Sequence, residues 1–311
     1  MGTTNYSKDT ITAPDGHVIP TYLWLPAEEP VALIQVFHGL GEHAARYGRF
    51  AEAAARAGYA VAAHDHRGHG PAADPVGYFA HEDGWERLVA DGHLVFELLG
   101  NRYPGRPVVL LGHSMGSYIA QSYAMRHGDD HAAMILSGST RPARLLVGIG
   151  RLLARFESWR LGPTGESALL DKLGFGDFNR NFEPARTELD WLSRDPHEVD
   201  LYVADPLCGG PYTTGLWLDL LGGLLEVSQK SNLRRIPGNL PILITGGASD
   251  PVGGDAGMFK LFLQYENTGH GKLSKAIYAE GRHEMLNETN RDEFTADLLS
   301  WTAQQLENYQ A

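Results

Sequence analysis

Apolar positions along this chain fall into two alternating rhythms. Short runs such as "VALIQVF" (31–37), "YAVAAHD" (59–65), "PVVLLG" (107–112), "AAMILSG" (132–138) and "LPILITGG" (240–247) have strand length and are apolar almost throughout. "SKAIYAE" (274–280) extends the series. Longer mixed segments separate them. "EHAARYGRFAEAAARAGY" (42–59) is Ala-rich and stops at Gly58, "GWERLVADGHLVFELLG" ends at Gly100, and "MGSYIAQSYAMRHG" closes at Gly128. A glycine after an amphipathic run is a helix stop signal. Further helices are expected near 254–266 and 285–309. At the N-terminal end, residues 8–25 alternate around "APDGH", the pattern of a hairpin.

Strands without a polar face, spaced by helices, predict a mostly parallel sheet covered on both sides. Ligands in such sheets bind at the carboxyl ends of the strands. The rhythm breaks between 139 and 236, where arginine, aromatics, glycine and proline mix without a strand-like run. The chain therefore divides into a core of 1–138 and 237–311 and a mainly helical insertion, 139–236, expected to lie over the strand ends as a cap.

At 311 residues and 43% hydrophobic, the chain can bury a large core. A formal charge of −12 argues against a nucleic-acid partner, because phosphate binding needs a basic surface. The polar start "MGTTNYSKDTITAPDG" lacks the apolar stretch of a signal peptide, and no apolar run is long enough to span a bilayer. The single cysteine, Cys208, cannot form an intrachain disulfide, and the chain reads as cytoplasmic. "DPLCGG" offers no base beside that thiol, so Cys208 is expected to be a small buried apolar residue.

The chemistry starts at "VVLLGHSMGSYIAQ", a strand, the spacing G-x-S-x-G, and a helix. This is the context of a nucleophile elbow, in which Ser114 sits on a strained turn and side chains at the flanking glycine positions would collide. A serine hydroxyl needs a base, usually a histidine oriented by a carboxylate. In chain order the acid follows the serine and the histidine comes last. "ILITGGASDPV" places Asp250 just past one strand, and "AIYAEGRHEMLNE" places His283 just past the final one. Asp255 is the rival acid. His270 is the rival base, but it precedes the last strand. Oxyanion donors are expected from Met115 N–H, next to the serine, and from Leu40 N–H in "FHGLGEH" (37–43).

"HGLGEH…RY", "DHRGHG", "GHSMG", "GGASDPV" and "GRHEMLNE", in that order, resemble the monoacylglycerol lipase and lysophospholipase branch of the α/β-hydrolases, the serine aminopeptidase S33-like group. The resemblance covers about residues 30–140 and 237–290. It implies the α/β-hydrolase fold, with Ser114 as nucleophile, Asp250 as acid, His283 as base, and Leu40 and Met115 as the oxyanion hole. It also implies a small acyl-ester substrate, an acyl-enzyme intermediate and no metal or organic cofactor. After "DHRGHG" the chain departs from the pattern, with "PAADP" where relatives often carry a serine.

Other readings compete. "HDHRGH" (64–69) invites a metallohydrolase with His64, His66 and His69, but the dinuclear pattern needs Asp at 68, where Gly68 stands. Asp65 and Arg67 are expected instead to be tied into local hydrogen bonds. "RPARLLVGIGRLLARF" (141–156) puts Leu145, Ile149, Leu152 and Phe156 on one helical face and Arg144, Arg151 and Arg155 on another. That stripe is expected to pack on the domain beneath. Transient contact with a membrane or lipid aggregate is the alternative. Trp191, Trp217, Leu220 and Leu224 fit an acyl channel or an ordinary cap core. An N-terminal peptidase would want cap carboxylates such as Glu183, Glu188, Asp190 or Asp200 for the ammonium, although acidic residues on a solvated surface are commoner. A non-catalytic small-molecule binder on the same fold is the remaining class.

Overall fold

A computed structural model describes residues 5–309; residues 1–4, which open the polar N-terminal stretch, and 310–311 lie outside the described residues. The hairpin is β1 (Asn5–Thr12) and β2 (Val18–Leu25), antiparallel across the 13–17 turn. Then follow β3 (Ala32–Phe37), α1 (Gly48–Arg56), β4 (Tyr59–His64), α2 (Gly84–Arg102), β5 (Val108–His113), α3 (Met115–His127) and β6 (Ala133–Ser137). Between β6 and β7 lie α4 (Arg144–Leu161), α5 (Ala168–Phe175), α6 (Pro196–Ala204), α7 (Thr214–Val227) and α8 (Lys230–Leu233). The core resumes with β7 (Ile242–Gly247), α9 (Gly254–Glu266), β8 (Leu273–Tyr278) and α10 (Arg291–Tyr309).

The strands form one eight-stranded sheet in the order β1-β2-β4-β3-β5-β6-β7-β8, parallel from β4 onward. This is the α/β-hydrolase arrangement. Alternate residues feed two cores. Phe37 and Leu110 pack with Ile119 and Tyr123 on one face. Val36, Leu111 and Ile135 pack with Phe294 and Leu298 on the other. Burying each such side chain stabilises by about 1.5–3 kcal/mol, which is why these runs tolerate no polar face. The register aligns Phe37 with Gly112, His113 with Ser137, and Ser137 with Thr245. The loops after β3, β5, β7 and β8 therefore open on one edge of the sheet.

Three helix boundaries move. The Ala-rich helix starts at Gly48, not 42, because Ala44–Tyr47 form a separate 3-10 turn. α2 runs two residues past Gly100, to Arg102. The final helix starts at Arg291, not 285, because Met285–Asn287 form a short 3-10 turn held by Glu284.

The larger correction concerns α4. The stripe expected to pack inward faces out: Leu145 is 77% exposed and Leu152 66%, with Ile149 and Phe156 also exposed, and Trp159 beyond the stripe is exposed as well. α4 instead lays its small residues against α7, with Ala154 buried and Gly150 opposite Leu221. Small residues there let the two helix axes approach closely, and the large apolar side chains are left on the solvent side. Arg151 does not join the exposed arginines but turns inward toward Asp219.

Candidate active site

The elbow explains its own glycines. Ser114 holds φ 51° and ψ −121°, a conformation that costs a non-glycine residue about 1–3 kcal/mol. A Cβ on Gly116 would lie 2.0 Å from Phe37 O, and one on Gly112 would lie 2.5 Å from Gly116 O. Neither position can carry a side chain while α3 packs this tightly on β3. The turn is fixed from below by Ser114 N–H donating to Ser137 O at 2.9 Å. Ser114 itself is half-buried and faces a cavity of about 1260 Å³.

His283 lines the same cavity. Its Nδ1–H donates to Asp250 Oδ2 at 2.8 Å, which leaves Nε2 as the basic nitrogen. The other oxygen of Asp250 accepts from Val252 N–H at 2.8 Å. Burial alone would lower the His283 pKa, but the Asp250 carboxylate outweighs it and the ring sits above its ordinary 6.5. The rings of His113 and Trp191 flank it at 4.7 and 5.0 Å. His113 is held neutral, burial pushing it down to about 4. The rivals are elsewhere: Asp255 is exposed and pairs with Lys275 at 3.6 Å, and His270 hydrogen-bonds Thr268 and Tyr265 O.

Leu40 and Met115 also border the cavity. Met115 opens α3, so its N–H has no intrahelical acceptor. On either side of Leu40 the amides are engaged, Gly39 N–H by Glu42 Oε1 at 2.6 Å and Gly41 N–H by His69 Nε2 at 3.3 Å. The Leu40 amide between them has no acceptor among the described residues.

What holds this loop was not read from the sequence. His38 Nδ1–H donates to Gly39 O at 2.8 Å, and its Nε2 accepts from His66 N–H at 2.9 Å. Beneath lies a buried ionic network. Arg46 forms a two-pronged pair with Glu284 at 2.7 Å for each prong, and reaches Glu42 at 2.9 Å. Tyr47 O–H also donates to Glu42 at 2.8 Å. Burial opposes ionisation of Glu284, yet Arg46 holds its carboxyl down at about 2. Glu284 follows His283 directly, and Glu42 binds the loop that carries Leu40, so one guanidinium ties the two loops together. The spacing of "GEH…RY" and "RHE" is the signal that could have pointed to it.

"HDHRGH" gathers no metal-ligand shell. His69 is used by Gly41 N–H and Arg67 O, and the His66 ring lies tilted against His38 at 4.0 Å between centroids. Asp65 accepts from Tyr22 O–H and Ala44 N–H, and Arg67 binds Asp91 and Asp15. Cys208 is half-buried rather than fully buried. Burial pushes its thiol up to about 12, far from a nucleophile's range.

Trp191, Trp217, Leu220 and Leu224 all stand on the cavity wall, with Trp217 Nε1–H donating to Asp171 at 2.8 Å. The lining also carries the polar side chains of Asn179, Arg180, Glu183, Arg186, Thr187 and Glu188. Three of the carboxylates considered for a peptidase are already engaged, Glu183 by the Ala185 amide at 3.0 Å. Asp200 pairs with Arg186 at 2.6 Å, and Asp190 accepts from Thr187 and from the Arg186 amide. Among the described residues no helix is long and apolar enough to cross a membrane.

Comparison with known proteins agrees with this architecture. The chain is 29% identical to a monoacylglycerol lipase of Mycolicibacterium smegmatis, over 91% of this chain and 92% of that one. It is 32% identical to the monoglyceride lipase of Rattus norvegicus, over 79% and 74% of the two chains. The crystal structure of a thermostable carboxyl esterase from Bacillus coagulans, in complex with glycerol, superposes with a TM-score of 0.90 at 25% identity, covering 98% of this chain and 100% of that one. Residues 28–290 match the family described as serine aminopeptidase, S33. The chain belongs to this family of α/β-hydrolases.

Proposed function

We propose that this carboxylic-ester hydrolase works through an acyl-enzyme on Ser114 and takes single-chain acyl esters of the monoacylglycerol or lysophospholipid kind. His283 Nε2 removes the Ser114 proton as the hydroxyl attacks the ester carbonyl. Leu40 and Met115 N–H groups hold the resulting oxyanion; losing one such donor raises the barrier by about 3–4 kcal/mol. Asp250 fixes the tautomer of His283 and stabilises its charged form. The imidazolium then gives its proton to the departing alcohol, and water repeats the sequence on the acyl-enzyme.

The observation that carries this reading is the convergence of Ser114 and the His283–Asp250 pair on one cavity lined by both apolar and polar side chains. A chain packs along Trp217, Leu220 and Leu224, while a head group meets the polar side chains of 179–188. Residues 139–236 act as the cap, and the outward leucines of α4 touch a membrane or lipid aggregate and admit substrate from it. The engaged states of Asp190 and Asp200 weigh against a peptidase that grips an ammonium.

The test is turnover across p-nitrophenyl esters and monoacylglycerols of graded chain length, beside aminoacyl anilides and triacylglycerols. Monoacylglycerol turnover well above that of both comparison sets is expected. Preferred cleavage of the anilides would overturn the substrate assignment.

A further inference from the structure

Behind the oxyanion loop, where the insertion returns to the core, three groups outside the mechanism above come together. His43 follows the loop, and Asp205 and Cys208 lie in the segment that leaves α6. One ligand atom from each (imidazole nitrogen, carboxylate oxygen, thiol sulfur) falls within 4.8 Å of the other two. Among the described residues this is the one group of His, Cys and carboxylate side chains that converges so. His43 Nε2 already lies 2.9 Å from Asp205 Oδ2.

Three carboxylates, Asp205, Glu42 and Glu284, act on the Cys208 sulfur, and the Arg46 guanidinium is the strongest single charge opposing them. That guanidinium is in contact with both glutamates. Asp205 has no Lys or Arg in ion-pair contact among the described residues; its partners are the His43 ring and the Leu207 amide. The ring's other nitrogen, Nδ1, is buried and unpartnered.

The donor set selects the kind of ion. Thiolate and imidazole favour zinc-class metals over the hard cations magnesium and calcium. Zinc bonds of about 2.0–2.3 Å place ligand atoms of one tetrahedral shell roughly 3.3–3.7 Å apart, so the cluster closes with a movement of about 1 Å.

We infer that His43, Asp205 and Cys208 form a binding site for a zinc-class divalent ion, with water as the fourth ligand, that pins the segment after α6 to the oxyanion loop. On binding, the thiol loses its proton to solvent, and the ligating imidazole nitrogen carries none. The junction is already hydrogen-bonded, since Gly209 N–H and Tyr202 O–H both donate to Gly41 O, at 2.8 and 2.6 Å. An ion there stiffens the loop that carries Leu40. The imidazole has no acceptor behind it, and such outer partners are worth about 10–100-fold in affinity. The site is therefore exchangeable and is emptied by a chelator.

Chelator-treated full-length protein is titrated with CoCl₂. One equivalent should produce a thiolate-to-cobalt charge-transfer absorption, displaced by ZnCl₂ and accompanied by a rise in Tm. Cys208→Ser should abolish the absorption and leave ester turnover of the metal-free protein unchanged. Asp205→Asn and His43→Gln should each weaken cobalt binding roughly tenfold or more. No absorption at millimolar cobalt, an absorption that survives Cys208→Ser, or unchanged affinity in both other variants would overturn the site. Circular dichroism identifies variants that fail to fold, and Cys208→Ala, which removes only the sulfur, then decides.

Discussion

The loops at the carboxyl edge of the sheet and the insertion that faces them solve the same problem differently. Around Ser114 and His283 the polar groups are buried and engaged: His38, His69, Glu42, Arg46 and Glu284 all have partners that fix a backbone segment. Along α4 the reverse holds, and large apolar side chains stand in solvent while alanine and glycine meet α7. Preorganised catalysis requires the first arrangement, because donors and base must stand in place before the substrate arrives. A surface that meets lipid needs only an exposed apolar face, and it leaves fewer geometric demands on sequence.

Replacing Asp250 by Asn is expected to have the largest effect on the first region. The ring would lose its oriented tautomer, and kcat should fall by about 10⁴-fold with Tm little changed. A loss below tenfold would remove Asp250 from the catalytic set. Next comes Arg46→Met, which leaves two buried carboxylates without their cation. Breaking such a pair costs about 3–5 kcal/mol, read as a drop in Tm or in the urea midpoint. Because Arg46 positions the two loops and does not touch substrate, kcat should fall more than KM rises. Equal destabilisation with unchanged kcat would make the network purely structural.

The second region should respond in the opposite sense. Converting Leu145, Ile149 and Leu152 together to Ser should leave stability within about 0.5 kcal/mol, since the side chains are exposed. Turnover of a soluble short-chain ester should not change, while turnover of monoacylglycerol in vesicles should fall by about tenfold. Equal loss on both substrates would make α4 part of the pocket wall.

The smallest effect is in pH. His283 must be neutral to act as base, so kcat/KM should decline as pH falls through a value above 6.5. The folded-state pKa is raised, so the His283–Asp250 pair contributes its full stability below pH 6.5 and loses it as pH rises through that higher value. Activity and this part of the stability thus run in opposite directions with pH, and a pH–rate profile beside a pH–Tm series checks both.

The contrast also separates what was legible in the sequence from what was not. Runs such as 107–112 and 240–247 announce their strands because burial on both faces excludes polar residues. The glycines of "GHSMG" are legible because their lack of a side chain is itself the constraint. The Arg46 network was hidden because its partners lie 4 and 238 residues away, and a charged residue in a helical run reads as solvated. Periodicity identified the apolar face of α4 but not its direction, which depends on Gly150 and Ala154 fitting α7. Cys208 appeared to lack a base because the imidazole beside it, His43, comes from a loop far earlier in the chain, while Asp205 stands in "DPLCGG" itself.

If one strained serine carries the acyl group, stoichiometric labelling will find it there. The protein is treated with a fluorophosphonate while p-nitrophenyl ester turnover is followed, and the adduct is located by peptide mass spectrometry. One adduct per chain is expected, on Ser114, with turnover lost in proportion and no labelling of Ser114→Ala. Labelling at another residue, or full turnover in Ser114→Ala, would contradict the acyl-enzyme on Ser114.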